Sequence, residues 1–140
     1  MTQLRVPVSY GELIDKISIL EIKAQRIGDA AKLANVEKEL RVLLETWKAD
    51  LASQGPSIED LWAGLRTVNG QLWDIEDRIR VKESQGLFDA EFIELARAVY
   101  FINDERARLK KDMNVRLGSD LVEEKSYANY ARVGADAPAL

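Results

Sequence analysis

Neither cysteine nor histidine occurs among the 140 residues of this chain. The lack of cysteine excludes disulfides, thiolate nucleophiles and thiolate metal ligands, and the lack of histidine removes the commonest general base and zinc ligand. Any chemistry would have to use carboxylates, amides, hydroxyls, lysine or arginine. The composition therefore predicts no metal and no cofactor, it leaves catalytic residues unassigned, and it favours a protein that is not an enzyme.

Long apolar runs are also missing, although hydrophobic residues make up 46% of the chain. No run approaches the roughly 18 apolar residues that a membrane helix needs, and residues 1–5 lack the apolar core of a signal peptide. We therefore expect a cytoplasmic protein that does not enter a membrane. A net charge of -4 and a pI of about 5.0 argue against a nucleic-acid partner.

Proline is rare, with three residues, and apolar residues recur at the spacing of three and four that is typical of helices. The alternation of apolar and polar residues that indicates strands does not compete with this pattern. A length of 140 residues fits a single domain. We predict an all-α domain over residues 1–140, in which two antiparallel helical hairpins form an elongated four-helix bundle.

Capping residues and glycines predict the boundaries within this domain. Residues 1–8 are an extended arm, residues 9–53 are the first hairpin, and residues 57–117 are the second hairpin. Residues 118–140 are a C-terminal segment, in which Ser119 caps a short helical turn and a loose tail follows from Gly134. The predicted N-terminal caps are Ser9, Asp29, Ser57 and Asp89, and the predicted helix stops are Gly28, Gly86 and Gly118.

Two polar blocks, at residues 74–80 and 103–106, interrupt the apolar stripes of the third and fourth helices. If the chain folds back at Gly86, neighbouring positions on these helices have residue numbers that add up to about 173. The two blocks then form one polar cluster. The positions that this register brings side by side are Glu76 with the region of Arg97, and Asn69 with Asn103 and Asp104.

Arg106 lies within the apolar stripe of the fourth helix, where an unpaired charge would cost several kcal/mol. It therefore needs a carboxylate partner from the first or the third helix. The basic residues that follow it, including Lys110, are expected either to be solvated near a helix end or to balance the helix dipole. The candidate ligand-binding residues of the cluster are Glu12, Asp15, Glu21, Asn69, Asp74, Glu76, Asp77, Arg97, Tyr100, Asn103, Asp104 and Arg106.

The cluster has a structural and a functional interpretation, and both stay open. It could be a network of salt bridges and amides that fixes the register of the bundle, as polar core residues do in coiled coils. It could instead be a cleft for a small anionic or sugar-like ligand, in which Arg97 and Arg106 contact anionic groups and Tyr100 binds hydroxyls.

Paired carboxylates raise a third possibility. A spacing of three residues on a helix presents two carboxylates to one ion, as in helical nucleotide pyrophosphohydrolases that bind magnesium. Acidic residues in the first turn of a helix are also favoured by the helix dipole, which explains Glu91 and Glu94 without a metal. The pairs at this spacing are Glu12 with Asp15, Asp74 with Asp77, and Glu91 with Glu94.

The third helix also carries a second face that the main apolar stripe does not include. Trp62, Asn69 and Trp73 share this face. Tryptophan is more often a core or interface residue than a platform for a ligand. The face is covered either by the first helix or by another copy of the chain, and we expect a homodimer.

Four motifs carry a resemblance to a known family. They are VPVSYGELIDK at residues 6–16, LWDIEDRIR at residues 72–80, NDERARLK at residues 103–110 and EEKSY at residues 123–127. Together they resemble a small family of bacterial and phage proteins that is classed as a domain of unknown function. The resemblance also singles out the polar residues Glu12, Asp15, Lys16, Glu21, Lys23, Glu123, Glu124, Lys125 and Tyr127.

The family resemblance implies a setting rather than an activity. Members are associated with genes for surface-polysaccharide and glycosyl-transfer proteins, which implies a protein partner in glycan biosynthesis. We rank a helical interaction or assembly protein first, a binder of a small anionic ligand or nucleotide sugar second, and a carboxylate-metal nucleotide hydrolase third.

Overall fold

Four α-helices form the protein in a computed structural model that describes residues 2–131 and 137–138. Helix α1 spans Tyr10–Arg26, α2 spans Ala30–Ala49, α3 spans Glu59–Gln85 and α4 spans Ala90–Leu117. A short 3-10 helix, Leu51–Gln54, lies between α2 and α3. No strand occurs in the residues described, so the predicted all-α four-helix bundle is confirmed.

The helix ends follow local signals that are visible in the sequence. The side chain of Ser9 accepts a hydrogen bond from the backbone N–H of Glu12, and Asp29 and Asp89 cap α2 and α4 in the same way. Gly86 and Gly118 end α3 and α4 with φ angles of 65° and 66°, a left-handed conformation that glycine adopts without strain.

Two of the predicted boundaries differ from the structure. Helix α2 ends at Ala49 rather than near Ser53, because Asp50 caps the 3-10 helix by accepting from the backbone N–H of Ala52. The N-cap of α3 is Ile58 rather than Ser57. The Ser57 hydroxyl still lies 3.4 Å from the backbone nitrogen of Glu59.

Helix α1 is the centre of the bundle, since it packs against α2, α3 and α4. It supplies Leu13, Ile14 and Ile17 to the main apolar core, where they meet Leu65 of α3 and Met113 of α4. Helix α2 packs mainly on α1, and its only buried residues are Val36 and Trp47. Helix α2 is therefore an outer helix of the bundle.

The α3–α4 hairpin extends beyond the part that α1 covers. With 27 and 28 residues, these helices are about 40 Å long, whereas the 17 residues of α1 reach about 25 Å. The distal part of the hairpin has its own small core of Ile75, Leu95 and Ala98. One side of the two long helices is therefore left without a third helix across it.

The predicted helical turn after Gly118 is wrong. Residues 119–131 contain no helix, and the Ser119 hydroxyl donates to the backbone carbonyl of Leu121 instead of capping a helix. The left-handed Gly118 turns the chain, and Glu123 and Tyr130 then bind side chains of α4. The predicted loose tail from Gly134 lies outside the described residues, apart from residues 137–138.

The predicted extended arm agrees with the structure, because residues 2–8 are exposed and contain no helix. In the part of the chain that the structure describes, no helix combines the length and the apolar character needed to cross a membrane.

Candidate functional site

The polar cluster is centred on an ion pair between Asp15 of α1 and Arg106 of α4. Arg106 Nε donates to Asp15 Oδ1 at 2.9 Å, and a second guanidinium nitrogen contacts Asp15 Oδ2. The Asp15 side chain is 1% exposed and that of Arg106 is 28% exposed. The hydrogen bond to Asp15 raises the pKa of Arg106 above its ordinary value, against the effect of burial. The carboxylate partner that the sequence predicts for Arg106 is therefore Asp15 of the first helix.

Two further side chains complete the surroundings of Asp15. Asn69 Nδ2 of α3 donates to Asp15 Oδ1 at 2.9 Å and to Ser18 Oγ at 2.8 Å. The Ser18 hydroxyl in turn donates to the backbone carbonyl of Asp15. This layer ties α1, α3 and α4 together, so that one carboxylate accepts hydrogen bonds from both long helices.

A second polar layer lies one turn further along α4, around Lys110. Its ammonium donates to Glu12 at 2.8 Å and to Glu123 of the C-terminal segment at 2.9 Å. Burial acts to lower the pKa of Lys110, but the hydrogen bonds to the two glutamates outweigh it and raise the pKa. Lys110 is 7% exposed, so the expectation that it is solvated near a helix end is wrong.

The first turn of α1 touches α4 closely beside this layer. The backbone N–H of Gly11 donates to Asn114 Oδ1 at 2.7 Å. A Cβ atom at position 11 would lie 2.5 Å from the carbonyl oxygen of Lys110, closer than real Cβ contacts come. Only glycine fits here, because the backbones of α1 and α4 approach too closely for a side chain.

The remaining candidates of α1 and α3 lie at the edge of the cluster. Glu21 accepts from the indole nitrogen of Trp62 at 2.8 Å and pairs with Arg66 at 3.0 Å. Asp74 pairs with Arg26 of α1 at 2.6 Å. The second face of α3 is therefore covered in part by α1, and Trp62 belongs to the core.

The predicted neighbours Glu76 and Arg97 each bind a residue of their own helix. Glu76 pairs with Arg80 one turn along α3, and Arg97 pairs with Glu94 at 2.9 Å. Both are intramolecular surface pairs, which contribute little to stability when they are exposed.

Tyr100 and Asp104 lie on the other flank of α4, under the C-terminal segment. The hydroxyl of Tyr130 donates to the carboxylate of Asp104, and the rings of Tyr100 and Tyr130 are 4.9 Å apart between their centroids. The sequence-predicted set is therefore divided between the buried network around Asp15, the edge of α1 and this aromatic flank.

An open groove of about 460 Å³ runs beside the buried network, between α1, α3 and α4. Apolar, charged and amide side chains all contribute to its lining. We call it the central groove. It is lined by Ile19, Ile22, Leu72 and Trp73, together with Asn69, Glu76, Asp77, Arg80, Asn103 and Arg106.

In each of the three carboxylate pairs, at least one carboxylate binds a cation of the chain itself. Glu12 binds Lys110, Asp74 binds Arg26, and Glu91 binds Arg78 at 2.7 Å. Within residues 2–131 and 137–138, no group of three acidic residues is placed so that it could hold a metal ion. The arrangement gives the third-ranked hydrolase hypothesis no support.

Sequence reasoning missed three polar residues of the buried network. They share no chemical type, but the two on α4 follow a pattern, because Lys110 and Asn114 continue from Arg106 at intervals of four residues. Such a polar row beside an apolar stripe indicates a buried face, and it could have been recognised. The missed residues are Ser18, Lys110 and Asn114.

The fold and the site define a four-helix domain whose helices are joined by buried polar layers. Residues 4–139 match the family described as "Family of unknown function (DUF6165)", and the chain belongs to this family. The resemblance expected from the four motifs is thus confirmed at the level of a family of unknown function. A comparison with curated proteins gave no match, and neither did a comparison with solved structures.

Proposed function

We propose that this protein is an assembly module and that the central groove binds a second copy of the chain. The observation that carries the proposal is the composition of the groove. Apolar residues such as Leu72 and Trp73 lie beside both acidic and basic side chains, including Glu76 and Arg80. A surface that carries apolar groups and both charges is suited to meet a copy of itself about a two-fold axis.

The charges of the groove support a second copy over an unrelated partner of one sign. In a two-fold symmetric dimer the same surface of both copies forms the contact. Glu76 and Asp77 of one copy can therefore face Arg80 of the other. A groove meant for an acidic or a basic partner would carry an excess of the opposite charge. This groove carries two carboxylates and two guanidinium groups, Arg106 being held by Asp15.

The buried network supports a binding role over a chemical one. In the described part of the chain, every buried side-chain nitrogen or oxygen has a hydrogen-bond partner. Asp15 and Lys110 are each satisfied by groups of the protein and hold three helices in register. A network of this kind gives a rigid platform, and rigid platforms lower the entropic cost of association.

The uncovered side of the α3–α4 hairpin extends the same surface. Helix α1 ends at Arg26, beside Asp74 of α3, and the two long helices continue without it. A second copy could lie across this region and shield apolar side chains that the monomer leaves in contact with water.

The test is the molar mass in solution, by sedimentation equilibrium over a range of concentrations. The wild-type chain is expected to dimerise. Leu72→Glu places a charge among the apolar residues of the groove and is expected to abolish the dimer. Leu51→Glu is the matched control, because Leu51 is 85% exposed on a different part of the bundle. Circular dichroism checks that both variants keep their helices.

Charge variants test the same dimer without changing the apolar residues of the groove. Arg80→Glu is expected to weaken the dimer, and the swap Glu76→Arg with Arg80→Glu is expected to restore it, since the swap recovers opposite charges within and between copies. A wild-type chain that stays monomeric at every concentration, or a dimer that tolerates both Leu72→Glu and Arg80→Glu, would contradict the proposal.

The setting of the assembly is a further part of this proposal. The family resemblance favours a role beside surface-polysaccharide enzymes, and the composition favours the cytoplasm. A helical scaffold that presents a paired surface to an enzyme of glycan biosynthesis is consistent with both. Co-purification of the enzyme with the wild-type chain, and its loss with Leu72→Glu, would test the link.

A further inference from the structure

A cleft of about 430 Å³ lies between α4 and the C-terminal segment, residues 119–131. Its volume falls within the range of sites for small molecules, about 300 to 1,000 Å³. Tyrosine rings supply much of its lining. It borders the central groove at Asn103, which contributes to both. The residues that line it are Val99, Tyr100, Asn103 and Asp104 of α4, and Lys125, Tyr127 and Tyr130 of the segment.

One wall of the cleft is a fixed group of aromatic rings. The Tyr130 ring lies 4.9 Å from Tyr100 and 4.9 Å from Phe101, measured between centroids. The Tyr130 hydroxyl donates to Asp104, which holds the ring against α4 and engages the carboxylate. Aromatic rings of this kind bind flat ring systems by stacking or by edge-to-face contact.

The C-terminal segment also contributes a cation and a largely exposed aromatic ring to the cleft. Lys125 Nζ lies 5.8 Å from the centroid of Tyr127, a residue that is 75% exposed. The distance from Lys125 Nζ to the Glu123 carboxylate is long, at 3.4 Å, and Glu123 is already bound by Lys110 at 2.9 Å. The Lys125 ammonium can therefore pair with an anion that enters the cleft, because its own partner is shared.

Asn103 adds hydrogen-bonding capacity at the border of the cleft. It is half-buried and its amide offers one acceptor and two donors. Asp104, the acidic residue of the lining, is engaged by Tyr130. The groups left to bind a ligand are therefore aromatic faces, one amide and one ammonium.

We propose that this cleft binds a planar aromatic ring that carries an anionic group, of the size of a nucleoside monophosphate. The ring packs between Tyr100 and Tyr127, its polar edge meets the amide of Asn103, and its anionic group pairs with Lys125. Apart from Asn103, which lines both, the residues of this cleft lie outside the groove that is proposed to bind a second copy, so the two proposals can be tested independently.

The test uses three probes that divide the ligand into its parts. Adenosine 5′-monophosphate carries the ring and the anion, adenosine carries the ring alone, and ribose 5-phosphate carries the anion alone. Each is titrated into the ¹⁵N-labelled full chain and followed by shifts of the amide signals of Asn103 and residues 124–130. We expect saturable shifts from the monophosphate, weaker ones from adenosine, and none from ribose 5-phosphate.

Two variants assign the contacts. Tyr127→Ala is expected to weaken both ring-bearing probes roughly tenfold, the scale of a lost aromatic stack. Lys125→Gln is expected to weaken the monophosphate several-fold and to leave adenosine unchanged. Lys48→Gln is the matched control, since Lys48 is an exposed lysine of α2 outside the cleft. Both residues of the segment are surface residues, and an unchanged melting temperature verifies that the variants fold.

Three results would overturn the proposal. They are an absence of saturable shifts with the monophosphate, binding of ribose 5-phosphate that equals that of the monophosphate, and binding that neither cleft variant changes. The Leu72→Glu chain, which lacks the dimer contact, is expected to bind the monophosphate as the wild type does. Loss of ligand binding and loss of assembly are thereby told apart.

Discussion

Lys110 and Glu123 form an ion pair of 2.9 Å that joins the C-terminal segment to the middle of the bundle. The same ammonium binds Glu12 of α1 at 2.8 Å, and it lies 3.9 Å from a carboxylate oxygen of Asp15. One lysine thus links the segment to two layers of the polar network, and the position of the segment depends on the packing of α1 against α4.

Removing this lysine is expected to release the C-terminal segment. In Lys110→Met the apolar stem is kept, but Glu12 loses its cation and Glu123 keeps only the 3.4 Å contact with Lys125. Residues 120–130 should then be cleaved several-fold faster by a protease. Limited proteolysis followed by mass spectrometry checks this. Lys111→Met is the matched control, because Lys111 is exposed on the same helix. Equal cleavage of the segment in both variants would show that the pair of Lys110 and Glu123 does not anchor it.

The pair of Asp15 and Arg106 is expected to matter more for stability than any surface pair. Arg106→Met leaves Asp15 buried with less compensation, which costs about 2–4 kcal/mol of unfolding free energy after allowance for the partial exposure of Arg106. Urea denaturation provides the measurement. Arg116→Met removes an exposed pair with Asp60 and should cost much less unfolding free energy.

A double variant separates the pair from its surroundings. Asp15→Asn combined with Arg106→Met removes both charges, so it should recover part of the stability that Arg106→Met loses. If the double variant were no more stable than Arg106→Met alone, an unpaired carboxylate would not be the source of the loss.

A methyl group at position 11 is expected to push α1 away from α4. In Gly11→Ala the new Cβ would clash with the carbonyl oxygen of Lys110, 2.5 Å away, and overpacking of this kind costs about 1–3 kcal/mol. Thermal unfolding is the measurement. Gly28→Ala is the control, because a Cβ at Gly28 meets nothing within 4 Å, and its stability should be unchanged or slightly higher.

The contact of Tyr130 with Asp104 gives the C-terminal segment a dependence on alkaline pH. The hydrogen bond to Asp104 raises the pKa of Tyr130 to about 12 from an ordinary value of 10.0. Because the raised pKa favours the protonated phenol in the folded state, the contribution of this contact is complete below pH 10 and is lost as the pH rises towards 12.

An absorbance titration of ionised tyrosine tests this prediction. One tyrosine of the wild-type chain should ionise late, near pH 12, and Tyr130→Phe should remove that step. A hydrogen bond to Asp50 also raises the pKa of Tyr10, so Tyr10→Phe serves to assign the remaining late ionisation. A late step that persists in Tyr130→Phe and disappears in Tyr10→Phe would contradict the assignment.

Local signals explain why much of the fold could be predicted from the sequence. The caps Ser9, Asp29 and Asp89 bind backbone groups three residues away, so a short segment of sequence is enough to predict them. The left-handed turns at Gly86 and Gly118 are local in the same sense. Each of these residues begins or ends a helix through contacts within its own short segment.

The details of the polar cluster depend on contacts between residues that are far apart in the sequence, so local patterns do not predict them. The need of Arg106 for a carboxylate followed from its place in an apolar stripe, but several carboxylates of α1 and α3 could have met it. Lys110 was misplaced because its burial depends on Glu123, which arrives from a segment expected to begin with a helical turn. Tertiary contacts of this segment override its local helical preference.

The outer position of α2 implies that the bundle does not open as a single cooperative unit. The polar layers join α1 to α3 and α4, whereas α2 is attached through apolar contacts such as those of Trp47 with Tyr10 and Trp62. Helix α2 can therefore detach as a foldon while the charges around Asp15 stay covered. Native-state hydrogen exchange should then give two opening free energies, of which the lower belongs to α2. The fluorescence of Trp47 should change with this lower-energy opening.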